Sequence, residues 1–291
     1  MLIPIWLFLL WLFFLGGIIG SFLGVVSYRL HTNHSLGGSS HCESCKHDLA
    51  WYELVPIVSY LALRGRCHAC SSLIPRRHFL IELLTASLFA FVGFFISDLV
   101  ALGFSLVIVS VLVVIFAYDI RHLIIPDELI YTLLVLAVAV FLCEHSHSFV
   151  WSDSISPLLG AGLAAGFYGL LWYLSGGRAM GFGDVKLALP LGFMLGPGGA
   201  MSMLVFSFWI GALVSLVVMF WPPLVKLLSR LLSKVGRGYS NLSVEKTGKY
   251  LTMKSEVPFA PFLSAAFLLV YVTQIDVLSL TNYVLNWFFN F

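Results

Sequence analysis

Charge is what this sequence has least of. Only 10% of its 291 residues are charged, 60% are hydrophobic, and mean hydropathy is +0.98. Such a composition excludes an ordinary soluble domain and implies a polytopic membrane protein. Basic residues are missing from particular places as well. None precedes the first apolar run, which is also too long for a signal-peptide core and lacks a small-x-small cleavage site, so it is expected to be a retained first span. No Lys or Arg occurs near 98–99, in 144–155, in 196–200 or in 276–291. Cysteine is scarce too, and four of the five lie in one loop.

What is present is a series of apolar runs, each near the roughly 20 residues that cross a bilayer. They lie at about 2–27, 79–97, 100–118, 125–143, 156–174 and 201–222, with a shorter one at 258–275. The run from Asp184 to Leu195 is too short to span alone and reads as an oblique or broken helix packed inside protein. The expectation is therefore an all-α polytopic membrane protein of about eight transmembrane helices, with a small cytoplasmic zinc-ribbon-like loop domain. All sixteen Lys and Arg residues fall in alternate connections, which by the positive-inside rule puts both termini outside the cytoplasm. That topology accounts for the net charge of +2, so no nucleic-acid partner is implied. Nothing specifies an oligomeric state. No internal repeat is visible, and "HSLGGSSH" at 34–41 reads as a flexible lead-in.

The loop at 28–78 holds "CESC" at 42–45 and "CHAC" at 67–70. Two C-x2-C pairs 21 residues apart are zinc-ribbon spacing, with Cys42, Cys45, Cys67 and Cys70 as the ligand set. Two disulfides are the alternative, but a reducing cytosolic location favours metal. His41, His47 and His68 stand nearby, yet four thiolates already complete a tetrahedron. Cys143 reads as a small buried hydrophobe.

Carboxylates in or beside membrane spans are costly and point to function when they face the protein interior. Asp119 ends one span in "FAYDIRHLIIPDELI", and Asp184 begins another in "MGFGDVKLALPLG". Both fall on the cytoplasmic side, so they can meet at one depth, share a proton and act as base and acid on a scissile carbonyl. Gly181 and Gly183 would leave backbone bare for an extended substrate. A Gly-rich helix start with Asp184 as N-cap beside Lys186 explains the same residues. Asp127 and Glu128 read as helix-start acids, Glu82 as an ion pair with Arg76 or Arg77, and Asp98, Glu144, Asp153 and Asp276 as solvated outer-face acids.

In order and spacing, these residues resemble the type IV prepilin peptidases (prepilin leader peptidase/N-methyltransferases), in the G-x-G-D class of intramembrane aspartic proteases. The likeness runs through "GSFLGVVSYRL" at 20–30, the cysteine pairs with "WYELVPIVSYLALRGRC", and "IPRRHFLIELLT" at 74–85. It continues through "YDIRHLIIPD" at 118–127, "GFGDVKLALPLG" at 181–192 and "VPFAPFL" at 257–263. The resemblance implies a bacterial inner-membrane enzyme facing the cytoplasm, with substrates among type IV prepilins and type II secretion pseudopilins. It implies leader cleavage by Asp119 and Asp184, then N-methylation with S-adenosylmethionine, and a zinc-binding loop linked to methyl transfer. The chain would divide into a first transmembrane helix at 1–27, a tetra-cysteine loop domain at 28–78 and a membrane-embedded peptidase core at 79–291. It departs from the family pattern at Gly24, usually Asn, and His31, usually Pro. Three rivals are a peptidase without methyltransferase activity, a secondary transporter with buried acids, and a non-catalytic assembly platform that docks through the loop.

Overall fold

Residues 4–30, 41–42, 44–144, 155–178, 180–235 and 258–277 are described by a computed structural model of the chain. The elements in order are α1 (Ile5–Arg29), a single 3-10 turn (Trp51–Glu53), α2 (Val58–Ala62), α3 (Arg76–Phe95) and α4 (Leu99–His122). They continue with α5 (Asp127–Glu144), α6 (Ile155–Ser175), α7 (Phe182–Val235) and α8 (Ala260–Thr273). No strand forms among the described residues, and only two isolated bridges occur, both beside the cysteine pairs.

Five of these helices are long and apolar enough to cross a membrane: α1, α3, α4, α6 and the Phe182–Val217 part of α7. α8 is shorter, and α5 carries Asp127, Glu128 and Glu144 at its ends. α7 is two helices in line. Gly196 interrupts it with φ 65° and ψ −177°, a backbone state that residues other than glycine rarely adopt, and Pro197 follows. The short run that could not span alone is the first arm of this pair, which brings the membrane helices to about eight.

Small residues set how closely the helices pack, since lipid offers no hydrophobic drive for helix association. α1 lies on α3 because Gly16 and Gly20 are bare: a Cβ at either would stand 2.8 Å from the Ala86 Cα or 2.9 Å from the Glu82 Cα. α6 crosses the first arm of α7 where Gly160 meets the Gly192 carbonyl. Tyr168, Leu187, Leu191, Met203, Leu263 and Phe267 fill the core shared by α6, α7 and α8, each with no exposed surface. α4 packs on α1, α3, α5 and α8, whereas α7 packs on α5, α6 and α8, so α4 and α7 share no extensive interface.

Candidate active site and cysteine cluster

Asp119 stands in the last turn of α4. That turn is closed by Leu123 in the left-handed conformation, its amide donating 2.8 Å to the Asp119 carbonyl. The Asp119 side chain is turned inward, the residue is 5% exposed, and its Oδ2 is buried with no hydrogen-bond partner. Tyr118 and His122 stack beside it at 4.4 Å between ring centroids. The chain then crosses to α5 through the buried Ile125 and Pro126.

Asp184 lies in the first turn of α7, where the positive helix end favours an acid. The helix already starts at Phe182, so Asp184 is inside the turn and not its N-cap; its own amide donates to the Gly181 carbonyl at 3.2 Å. It is 6% exposed and close enough to Asp119 for the two carboxyls to interact electrostatically. α4 and α7 are not packed neighbours, so the acids are brought together by the elements between them, and Tyr168 lies near Asp184. Tyr168 is fully buried, and its hydroxyl pairs with Ser207 Oγ at 2.7 Å.

The two glycines of this motif separate. Gly181 is open, with only Asp184 Oδ2 and the Gly183 amide as near as 3.9 Å from a Cβ added there. Gly183 is not. Ile125 Cβ would be 3.3 Å from its Cβ, so the bare side of Gly183 receives the α4–α5 connection and not a substrate strand. Lys186 also gains a role. Its ammonium bonds both oxygens of Asp127, at 2.8 and 2.9 Å, tying the start of α7 to the start of α5 across the aspartates. Asp127 is thus an ion-pair partner besides being a helix-start acid. The signal for this pair, "IIPD" and "GDVK", was in view, but nothing local joins them.

The cysteines form one site. All four Sγ atoms of Cys42, Cys45, Cys67 and Cys70 lie within 4.8 Å of one another, a grouping that could hold a metal ion. Each pair sits on the same turn made twice. Cys42 N donates to His47 O and Lys46 N to Cys42 O, and likewise Cys67 N to Ser72 O and Ser71 N to Cys67 O. Lys46 and Ser71 hold matching φ of 61° and 58°, and the bridges His41–Asp48 and Arg66–Leu73 close the two loops. The sequence showed no repeat, but the backbone has one. Hydrogen bonds from the Cys45 and Ser44 amides, with the Ser72 hydroxyl, hold the Cys42 thiol down at about 6, and Ser72 likewise lowers Cys70.

Several acids lie elsewhere than expected. Glu82 accepts from the Ile57 amide at 2.8 Å and makes no ion pair with Arg76 or Arg77 among the described residues. Asp98 caps α4 by accepting from Ala101 N at 2.7 Å, and Asp276 accepts from Ser202 Oγ at 3.4 Å, so neither is simply solvated. Asp153 and His31 lie outside the described residues. Cys143 is exposed near the end of α5 and is not the buried hydrophobe expected. Sequence reasoning missed Glu53, whose side chain is 1% exposed with Oε2 3.6 Å from His47 Nε2.

Fold and site together define a polytopic helical membrane protein that gathers two buried carboxyls at one end of its bundle and a four-thiolate cluster in the loop after its first helix. Residues 106–216 match the type IV leader peptidase family, and residues 14–96 match the bacterial peptidase A24 N-terminal domain. The chain belongs to the type IV leader peptidase family. It is 33% identical to the prepilin leader peptidase/N-methyltransferase of Klebsiella pneumoniae over 64% of this chain and 84% of that one. Against the proteins of the same name from Dichelobacter nodosus and Bacillus subtilis (strain 168) it is 28% identical, covering 90% of both chains and 92% and 95% respectively. No solved structure matches the chain.

Proposed function

We propose that this inner-membrane peptidase cleaves the leaders of type IV prepilins and type II pseudopilins at the cytoplasmic membrane face, with Asp119 and Asp184 as the catalytic pair. The observation that carries this reading is the burial of both carboxyls, with one Asp119 oxygen left without a hydrogen-bond partner. Two such carboxyls hold one proton between them. The ionised member takes a proton from water, whose oxygen bonds to the scissile carbonyl carbon. The protonated member hydrogen-bonds the carbonyl oxygen, and the C–N bond breaks as a proton reaches the leaving amine. The open side of Gly181 lets the substrate backbone approach Asp184. Both termini then lie outside the cytoplasm, as the distribution of Lys and Arg supports.

The second half of the proposed activity is methylation of the new N-terminal amine, for which S-adenosylmethionine supplies the methyl group. No residue is assigned to the methyl donor. The four thiolates fit Zn²⁺: a tetrahedron with Zn–S near 2.3 Å puts sulfurs about 3.8 Å apart, and Cys42 and Cys70 are 3.8 Å apart. Bound there, zinc supplies a structural cross-link between the two turns.

Purified protein incubated with a prepilin and labelled S-adenosylmethionine tests both halves in one tube. Leader loss and label transfer are expected, and Asp184→Asn is expected to remove the former. Cleavage retained by Asp184→Asn overturns the dyad. Mass measurement of the mature pilin terminus without a methyl group would leave a peptidase alone, and no cleavage with intact docking or flux would favour a platform or transporter.

A further inference from the structure

The stretch after the first cysteine pair does not stay at the membrane surface. From Trp51 the chain descends along α1 and α3, turns at Pro56 and Ile57, and climbs back through α2. Its depth can be read from the two long helices it touches. Pro56 Cβ and Ile57 Cδ1 lie 3.4 and 3.8 Å from where a Cβ on Gly17 would stand. Gly17 is about 18 Å along α1 from Arg29, the first charged residue of that helix, at 1.5 Å per residue. Ile57 N is bonded to Glu82, about 9 Å along α3 from Arg76 by the same rise. On the way back Tyr60 stacks on Phe79 at 4.8 Å. The basic end of α1 reaches roughly one turn beyond that of α3, since His78, two residues from Arg76, faces Gly24, five residues from Arg29. The tip lies below both basic ends, inside the apolar layer.

Non-helical backbone at that depth must satisfy its own polar groups, and much of this segment's backbone is paired within the protein. Leu54 N bonds Trp51 O, Val58 N bonds Pro56 O, and Ser59 N bonds Val55 O. Leu61 N bonds Ile57 O, Ser59 Oγ bonds Tyr52 O, and Ile57 N reaches the Glu82 carboxylate. Ile57 holds φ 64° and ψ −51°, a tight turn that a β-branched residue rarely adopts. The bond to Glu82 and the seat against Gly17 hold it there. The segment also turns apolar side chains outward: Trp51, Tyr52, Leu54, Val55, Val58 and Leu61 are all exposed. The flanking helices expose apolar side chains too, at Ile18 and Phe22 on α1 and Leu80 on α3, all on the membrane side of Arg29 and Arg76.

We propose that residues 51–62 form a re-entrant membrane segment whose outward face is covered by acyl chains of the adjoining leaflet, anchoring the cysteine cluster to the bilayer. The loop at 28–78 is then not wholly soluble: its metal-binding turns ride on a wedge pinned by Glu82. The occupant is lipid because the tip is below the charged ends of its flanking helices, and those helices expose apolar side chains on the same side of their charged ends. Trp51 and Tyr52 open the segment where aromatic residues favour the membrane interface.

The test uses the full-length protein in liposomes of phosphatidylethanolamine and phosphatidylglycerol, with a diazirine-bearing phenylalanine at Val55, Val58 or, for comparison, Lys46 beside the first cysteine pair. After irradiation, mass spectrometry is expected to find phospholipid adducts at 55 and 58 at least tenfold above position 46. Water addition without lipid adducts at both positions, or adducts to a second copy of the chain, overturns the proposal. An independent reading needs only the mild variant Trp51→Phe. The fluorescence lost in that variant is expected to be quenched by lipid brominated at a shallow acyl position and spared by aqueous iodide; the reverse pattern overturns the proposal.

Discussion

The cysteine cluster and the aspartate pair are assembled by opposite means. Each cysteine pair is placed by an eight-residue turn whose amides fold back on themselves, and the site is that turn used twice. Its four Sγ atoms converge within 4.8 Å of one another, a grouping that could hold a metal ion. The aspartates have no such local scaffold. One ends α4 and the other begins α7, helices that hardly touch, and their meeting depends on α5, α8 and the connection through Ile125. A site built from a local turn tolerates distant change and fails with its ligand; a site built by the whole bundle fails when any contact that sets its spacing is lost.

The sharpest way to break this comparison is at the acids themselves. Asp119→Asn or Asp184→Asn replaces a group that must exchange a proton, and cleavage is expected to fall by about 10³-fold or more. The amide keeps the shape of the side chain, so each variant should insert and purify as before. Gel analysis of prepilin processing checks the first outcome and membrane yield the second.

Cys42→Ser or Cys67→Ser strikes the other site. One ligand lost from each tetrahedron is expected to take the bound metal from one equivalent per chain toward none, measured by elemental analysis, because ligation and folding of such turns are one event. The segment between the turns rests on α1 and α3, while the aspartates stand on α4 and α7, so cleavage is expected to drop by less than about tenfold, or roughly 1.4 kcal/mol. Methyl transfer is expected to be lost. Equal losses of cleavage in the cysteine and aspartate variants would dissolve the distinction.

How much of each site the sequence could show follows from the same difference. The cysteine spacing is readable because its geometry is local, and the two acids are readable because charge in a membrane chain is rare. What the bundle decides is not readable. "WYELVPIVSYLA" holds Glu53 and Pro56 and is too short to span, so hydropathy leaves it in a soluble loop, although Gly17 and Glu82 receive its tip. Gly183 reads as room for substrate until Ile125 is seen against it. The two cysteine turns match in backbone but share few residues besides their cysteines, so no repeat shows in letters. The span count was legible because each apolar run was bounded by charges or by Gly and Pro. The break at Gly196 within one continuous α7 shows only in the backbone angles.

A gentler way to sharpen the comparison is to alter the spacing around the acids without touching them. Gly192 lets α6 reach the first arm of α7, and a Cβ there would stand 2.7 Å from the Ala164 Cβ and 2.5 Å from the Gly160 carbonyl. Gly192→Leu is expected to push the two helices apart at a cost of about 1–3 kcal/mol, seen as a lower unfolding midpoint in detergent. Cleavage is expected to fall more than metal content, because Asp184 is on the displaced arm and the cysteines are not.

The smallest expected effect is at the Lys186–Asp127 pair. Both side chains are partly exposed, at 39% and 49%, so water screens the pair and its worth is about 0.2–1 kcal/mol. Breaking it with Lys186→Met keeps the apolar stem over the Phe182 ring, where the ammonium now sits 5.6 Å from the centroid. The start of α7 then loses its tie to α5 two residues past Asp184. Cleavage is expected to slow by about two- to fivefold, with the metal content unchanged. Because the pair is a tie and not a reactant, the exchanged variant with Asp127→Lys and Lys186→Asp should recover part of the rate that either single change removes. A double change no better than the worse single one would show that Lys186 acts on Asp184 directly, and that the bundle sets the acids apart without this contact.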